Sequence, residues 1–149
     1  MRREIESYPD DESLWRETSG VSNPGGTLAL HCAGNMRHFV GAVLGQDGYI
    51  RDREAEFTAR GATREQVVAE LDSALNAVER ALESLPAAVF DGPYPARVYG
   101  RTLRTDVLLT HMAIHLGYHL GQLDYHRRLV TGENHTVDAL SLSDLPEAP

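Results

Sequence analysis

The sequence predicts an all-α protein, a four-helix bundle with a short first helix. Three observations carry this. Apolar residues recur at three- and four-residue steps through long stretches, no stretch alternates with period two, and proline and glycine fall where such helices would start and stop.

Residues 1–8 can form a helix that Pro9 ends. This element is too short to be a full bundle helix. The second element opens at VSNPGG, where Asn23 suits an N-cap and Pro24 the first helical position. It runs through TLALHCAGNMRHFVGAVL to Gly45, read as its C-terminal glycine. The third begins with T-R-E-Q, a capping box of Thr63 and Gln66. Val67, Leu71, Leu75, Val78, Leu82 and Leu85 then mark one apolar face, and Pro86 closes the helix. Residues 86–101 hold three prolines and two glycines and read as a connection with a short extended piece at ARVYG. The fourth helix runs from about Thr102 to Val130, with Gly132 as its stop. The polar tail 133–149 is expected to pack loosely or fray.

The 149 residues suit a single domain spanning 1–149. A net charge of −8 without a basic face argues against nucleic acid and against an anionic membrane surface. No apolar run approaches the roughly 20 residues that span a bilayer. The one cysteine, Cys32, rules out an intrachain disulfide, and the N-terminus lacks a signal-peptide core, so the expected location is cytoplasmic.

The informative segment is HMAIHLGYHLGQLDYHRR. His111, His115, His119, Gln122 and His126 fall within an arc of roughly 80° on one helix face. Met112, Leu116 and Leu123 lie on one side of that arc, and Ile114, Tyr118 and Tyr125 on the other. The histidines therefore bisect an apolar face and are expected to point into the core, where an unpartnered imidazole is costly. The second helix carries His31, Asn35, His38 and Ala42 on one of its faces. An i, i+4 histidine pair with a third histidine from a facing helix would grip one ion and leave coordination positions open. Histidines hydrogen-bonded to backbone, carboxylates or water are the alternative.

Two separated segments resemble the DinB-like (damage-inducible) metal-binding four-helix bundles. They are H115-L-G-Y-H119-L-G-Q122 with LDYHRRL after it, and L28-A-L-H31-C-A-G-N35-M-R-H38-F followed by G48-Y-I-R51-D52-R53-E54-A55-E56-F57. The resemblance spans about residues 12 to 132. It implies a metal triad of His31, His115 and His119 holding one divalent ion, zinc or nickel foremost, although imidazole ligands suit copper and iron as well. It also implies a small-molecule substrate and a low-molecular-weight thiol as co-substrate, since the family includes thiol-dependent S-transferases that use bacillithiol or mycothiol.

Other residues have lesser expected roles. Asn35 and Gln122 would orient ligand imidazoles through their second nitrogens. His38, about 10 Å along the helix from His31, would line the pocket or bond within the core. His111 would support the site or serve as an alternative ligand, and His126 lies too far along. The RDREAEF run reads as a solvated loop, with Arg51 or Arg53 reaching the pocket mouth to bind an anion. Cys32 reads as a free buried thiol, and Tyr118 and Tyr125 as core or interface.

No catalytic residue is assigned. The enzyme reading is a metal-dependent thiol S-transferase or a hydrolase. No carboxylate lies on the histidine stripe to act as general base, which favours the thiol chemistry. The competing readings are a metal- or small-ligand-binding protein without turnover, and a helical protein whose histidines only pack. A homodimer is expected, because a short first helix leaves apolar surface for a second copy to cover.

Overall fold

In the computed structural model, which describes residues 1–145, the chain is helical, and among those residues β-pairing is limited to two isolated bridges, Pro93–Arg104 and Val98–Arg101. The start of the chain makes two short helices rather than one. α1 (Arg2–Glu6) ends before Pro9, and α2 (Asp11–Leu14) is capped by the Asp10 side chain, which accepts from the Ser13 N–H. Together they bury Ile5, Tyr8 and Leu14.

α3 (Gly25–Met36) continues as a π-helical segment, Arg37–Ala42. Asn23 is not its cap. Pro24 occupies the N-cap with extended backbone, and Gly25 and Gly26 form the first turn. The reason is close packing: a Cβ on Gly26 would lie 2.5 Å from the Trp15 ring, and one on Gly25 would meet Tyr8. The far end also departs from expectation. Gln46, not Gly45, takes the left-handed conformation (φ 53°). Gly45 is needed elsewhere, because its Cβ would stand 2.7 Å from that of Ala81.

α5 (Arg64–Ser84) has the expected capping box, with both Thr63–Gln66 bonds formed. Its buried face overlaps the predicted row only in part, for Val67 is buried and Leu71, Val78 and Leu85 pack against the core clusters. Val67, Val68, Ala74, Ala77 and Ala81 are buried, whereas Leu75 and Leu82 are 55% and 38% exposed. Gly41 in the π segment and Gly45 just beyond it bring this stretch directly onto Ala77 and Ala81, and only small side chains permit that approach. The helix turns its alanines inward and its outer leucines toward solvent.

Two short helices complete the connections. α4 (Arg53–Thr58) is capped by Asp52, so the RDREAEF run is a helix and not a solvated loop. α6 (Ala87–Asp91) follows Pro86, and a tight turn at Tyr99 and Gly100, both with positive φ, leads toward α7. α7 (Thr105–Thr131) starts slightly later than expected and ends at Gly132 in the left-handed conformation. Arg127, fully buried, bonds Glu4 of α1 at 2.7 Å and the carbonyl of His135. Arg128 holds the Asn134 carbonyl, and Arg3 holds Asp138 and Asp144. These arginines fasten the tail through Asp144, so it packs loosely, with none of residues 133–145 buried; residues 146–149 of the tail lie outside the described residues.

Two apolar clusters hold α3 and α7 side by side. One joins Ile5, Tyr8, Leu14, Leu28, Val67 and Leu123. The other joins Val40, Leu44, Ala81, Tyr94, Leu108 and Met112. His31 on α3 and His115 and His119 on α7 fall between the two. The helices are thereby clamped above and below the histidines.

Candidate metal centre

The i, i+4 spacing of His115 and His119 puts both rings on one face of α7, with centroids 4.4 Å apart. α3 places His31 opposite them. The His31 ring stands 5.5 Å from His115 and 5.1 Å from His119. One nitrogen from each of the three lies within 4.8 Å of the others. The Nε2 atoms of His31 and His115 are 3.2 Å apart. Two imidazoles on one tetrahedral zinc, each at about 2.0–2.1 Å, have their nitrogens about 3.3 Å apart. The donor set therefore fits one divalent ion.

Partners on the second nitrogens set the tautomers. The Glu56 carboxylate accepts from His31 Nδ1 at 3.0 Å, leaving Nε2 as a free lone pair. The Gln122 side-chain oxygen accepts from His119 Nδ1 at 2.7 Å with the same effect, which is the role expected of Gln122. Asn35 does not act in this way. It is buried one turn beyond His31, and its Oδ1 has no hydrogen-bond partner among the described residues. A buried unpaired carbonyl oxygen is costly.

Glu56 is the site residue that the sequence reading missed. It is buried on α4 and receives two short bonds from Arg51, at 2.6 and 2.7 Å. Arg51 thus holds Glu56 and, through it, His31; it does not offer its guanidinium to an anion at the pocket mouth. Arg53 lies over the Phe57 ring. Burial opposes ionisation of Glu56, but the Arg51 and His31 hydrogen bonds outweigh it and keep the carboxyl below its usual pKa. A signal for Glu56 was present in Gly34, three residues after His31. A Cβ there would lie 2.8 Å from Glu56 Cδ, so only glycine lets the carboxylate reach the imidazole.

Burial lowers the pKa of His115, and the adjacent His119 and His31 lower it further. Burial also lowers that of His119, partly offset by Gln122. Neutral imidazoles are the form a metal ion requires.

The remaining histidines separate by role. His111 is exposed, its ring 6.0 Å from that of His115, and it stands outside the triad. His38 is half-buried against Phe39, and burial with the Arg51 charge lowers its pKa. His126 is a packed core group. Its Nδ1 accepts from the Tyr8 hydroxyl at 2.7 Å and its Nε2 donates to the Arg16 carbonyl at 2.9 Å. Cys32 is a free buried thiol, pushed up to about 12 by burial.

The stripe does not bisect the core. Met112 and Leu123 are buried on one side of it, but Ile114, Tyr118 and Tyr125 on the other are 66%, 65% and 69% exposed. Among the described residues no helix covers that side of α7, so the histidines sit at the lip of the core with one side open. Phe57 packs on His31 and Tyr118 on His119, leaving the approach partly aromatic.

Among the described residues no helix is long and apolar enough to cross a membrane. The family profile of the DinB superfamily matches residues 1–123, which takes in the two short N-terminal helices and stops within α7. No curated protein and no solved structure matches the chain. The helical fold, the histidines of α3 and α7 and this match agree: the chain belongs to the DinB superfamily.

Proposed function

We propose that this chain is a metal-dependent enzyme that holds one zinc or nickel ion on His31, His115 and His119 and transfers a low-molecular-weight thiol to a small electrophile. The observation that carries the reading is the convergence of three imidazoles, two with tautomers already set, at a lip open to solvent. When bound, a divalent ion supplies Lewis acidity that lowers the pKa of a thiol or water reaching it.

The residues around the triad favour the thiol over water. Hydrolysis needs a general base beside the attacking water. The carboxylate nearest the triad, Glu56, is consumed by His31 and Arg51. A thiol needs no such base once its proton is acidic enough to leave to solvent. Phe57 and Tyr118 offer apolar surface to an electrophile at the same lip. A free, buried Cys32 accords with a reducing, cytoplasmic location.

The test uses purified full-length chain. Elemental analysis comes first, followed by consumption of monochlorobimane with cysteine or a cysteine-derived thiol, with zinc or nickel added. Turnover that needs metal and disappears in His115→Ala supports the reading. Stoichiometric metal binding without turnover replaces it with a binding protein, and absence of metal binding removes it.

A further inference from the structure

The charges around the triad do not cancel. Imidazoles that hold an ion are neutral, and Glu56 and Arg51 neutralise each other across two short bonds. The divalent ion and Arg53 are left, and both are positive. This cationic spot belongs to a chain with a net charge of −8.

Arg53 has no polar partner of its own. All 14 basic residues of the chain are arginines. Among the described residues every one except Arg53, Arg80 and Arg101 makes a side-chain hydrogen bond or an ion pair. Arg80 lies on α5 and Arg101 in the turn before α7, whereas Arg53 stands beside the triad. Its guanidinium lies over the Phe57 ring at 4.7 Å, and that ring is 4.9 Å from His31, so cation and imidazole are within about 10 Å of each other. The i, i+4 spacing on α4 puts Arg53 and Phe57 on one face. A guanidinium laid on an aromatic face keeps the N–H donors at its edge, in the fork that matches a carboxylate. The carboxylates next to it in the chain are placed otherwise. Asp52 caps α4 by accepting from the Ala55 N–H, Glu56 is held by Arg51 and His31, and Glu54 leaves the helix about 100° round from Arg53.

We propose that Arg53 recognises a carboxylate on the molecule that occupies the lip, so that the chain selects an acid over its neutral counterpart. The inference rests on the thiol-transfer reading and adds to it the charge of the substrate. A molecule with a sulfur or an electrophilic carbon at one end and a carboxylate at the other spans from the triad to Arg53 across Phe57. Two points of attachment fix its orientation as well as its affinity. The carboxylate can belong to the thiol or to the electrophile; the chemistry at Arg53 is the same.

Thiol binding can be read without turnover from the sulfur-to-metal charge-transfer band of the full chain loaded with cobalt(II), a spectroscopic stand-in for zinc. If the thiol carries the acid, mercaptopropionate should bind about five- to tenfold more tightly than mercaptoethanol, with an advantage that shrinks as salt rises. If the electrophile carries it, the zinc-loaded chain with mercaptoethanol as thiol should favour chloroacetate over chloroacetamide, each relative to its uncatalysed rate. In either arm Arg53→Met should remove the preference, Arg53→Lys should keep part of it, and Arg101→Met should leave it intact. Circular dichroism and cobalt affinity establish that the Arg53→Met protein is folded and loaded. A preference that survives Arg53→Met comes from the acid's own carboxylate on the metal and overturns the inference. So does the absence of a preference in both arms, with the thiol-transfer reading left standing. A chain that takes up no metal overturns that reading and this inference with it.

Discussion

Glu56→Gln removes one charge from the centre of the site and almost no volume. In the wild type the carboxylate is 6% exposed and accepts three hydrogen bonds, two from Arg51 and one from His31 Nδ1. Glutamine keeps one carbonyl oxygen, so it cannot accept from both Arg51 nitrogens and from His31. Its NH₂ group would also face a donor. The His31 ring then loses what holds its Nε2 lone pair toward His115 and His119. Removing an outer partner of a metal-bound histidine costs about 10–100-fold in affinity, or about 1.4–2.7 kcal/mol. Zinc affinity, measured in competition with a chromophoric chelator, should fall by that factor, while His115→Ala should abolish binding at the same metal concentrations. The half-buried Arg51 left without its counter-charge should also lower the thermal midpoint of the apo protein. The sign of the pH effect is set by the lowered pKa of Glu56. Its contribution is present above the ordinary carboxylate pKa and lost as pH falls through the folded value, so the two apo proteins should converge in strong acid. Unchanged zinc affinity in a folded Glu56→Gln protein would refute the assignment of Glu56 as the residue that orients His31.

Other outcomes follow from single contacts. Gly34→Ala should displace the Glu56 carboxylate and weaken zinc binding as Glu56→Gln does, checked by the same titration. His126 is neutral in the fold because burial lowers its pKa below 6.5, so the unfolded chain takes up the proton first as pH falls. Apo stability should be full above about pH 6.5 and decline below it, with His126→Gln reducing the slope of thermal midpoint against pH; a flat profile would contradict this. Ala77→Leu should destabilise by about 1–3 kcal/mol through overpacking against Gly41, whereas Leu75→Gln should change stability by about 0.5 kcal/mol or less, both read by chemical denaturation. Zinc at about 100 times its dissociation constant should stabilise the protein by about 2.7 kcal/mol, and the His31→Ala protein should show no such gain.

Apart from His31 as the third ligand, which the family resemblance implied, the sequence by itself determined the helical class, the boundaries of α5 with its capping box, the stop at Gly132, and the pairing of His115 with His119 on one helix face. Each of these depends on local spacing, on the twist of one helix and the hydrogen bonds of its ends. Tertiary structure decided which way the faces turn and what stands behind the ligands. Most of the predicted row of α5 does face the core, but the centre of the buried face is shifted so that Leu75 and Leu82 turn outward, because Gly41 and Gly45 against Ala77 and Ala81 give a closer approach. The histidine stripe has apolar neighbours on both sides, and periodicity does not say which side another helix covers; Met112 and Leu123 are buried while Ile114, Tyr118 and Tyr125 stay exposed. Glu56 sits 25 residues from His31 in a run of mixed charges. Only the folding of α4 back onto Gly34 turns one carboxylate of that run inward, because a charge is buried where its hydrogen-bonding partners already wait, and those partners come from elsewhere in the chain.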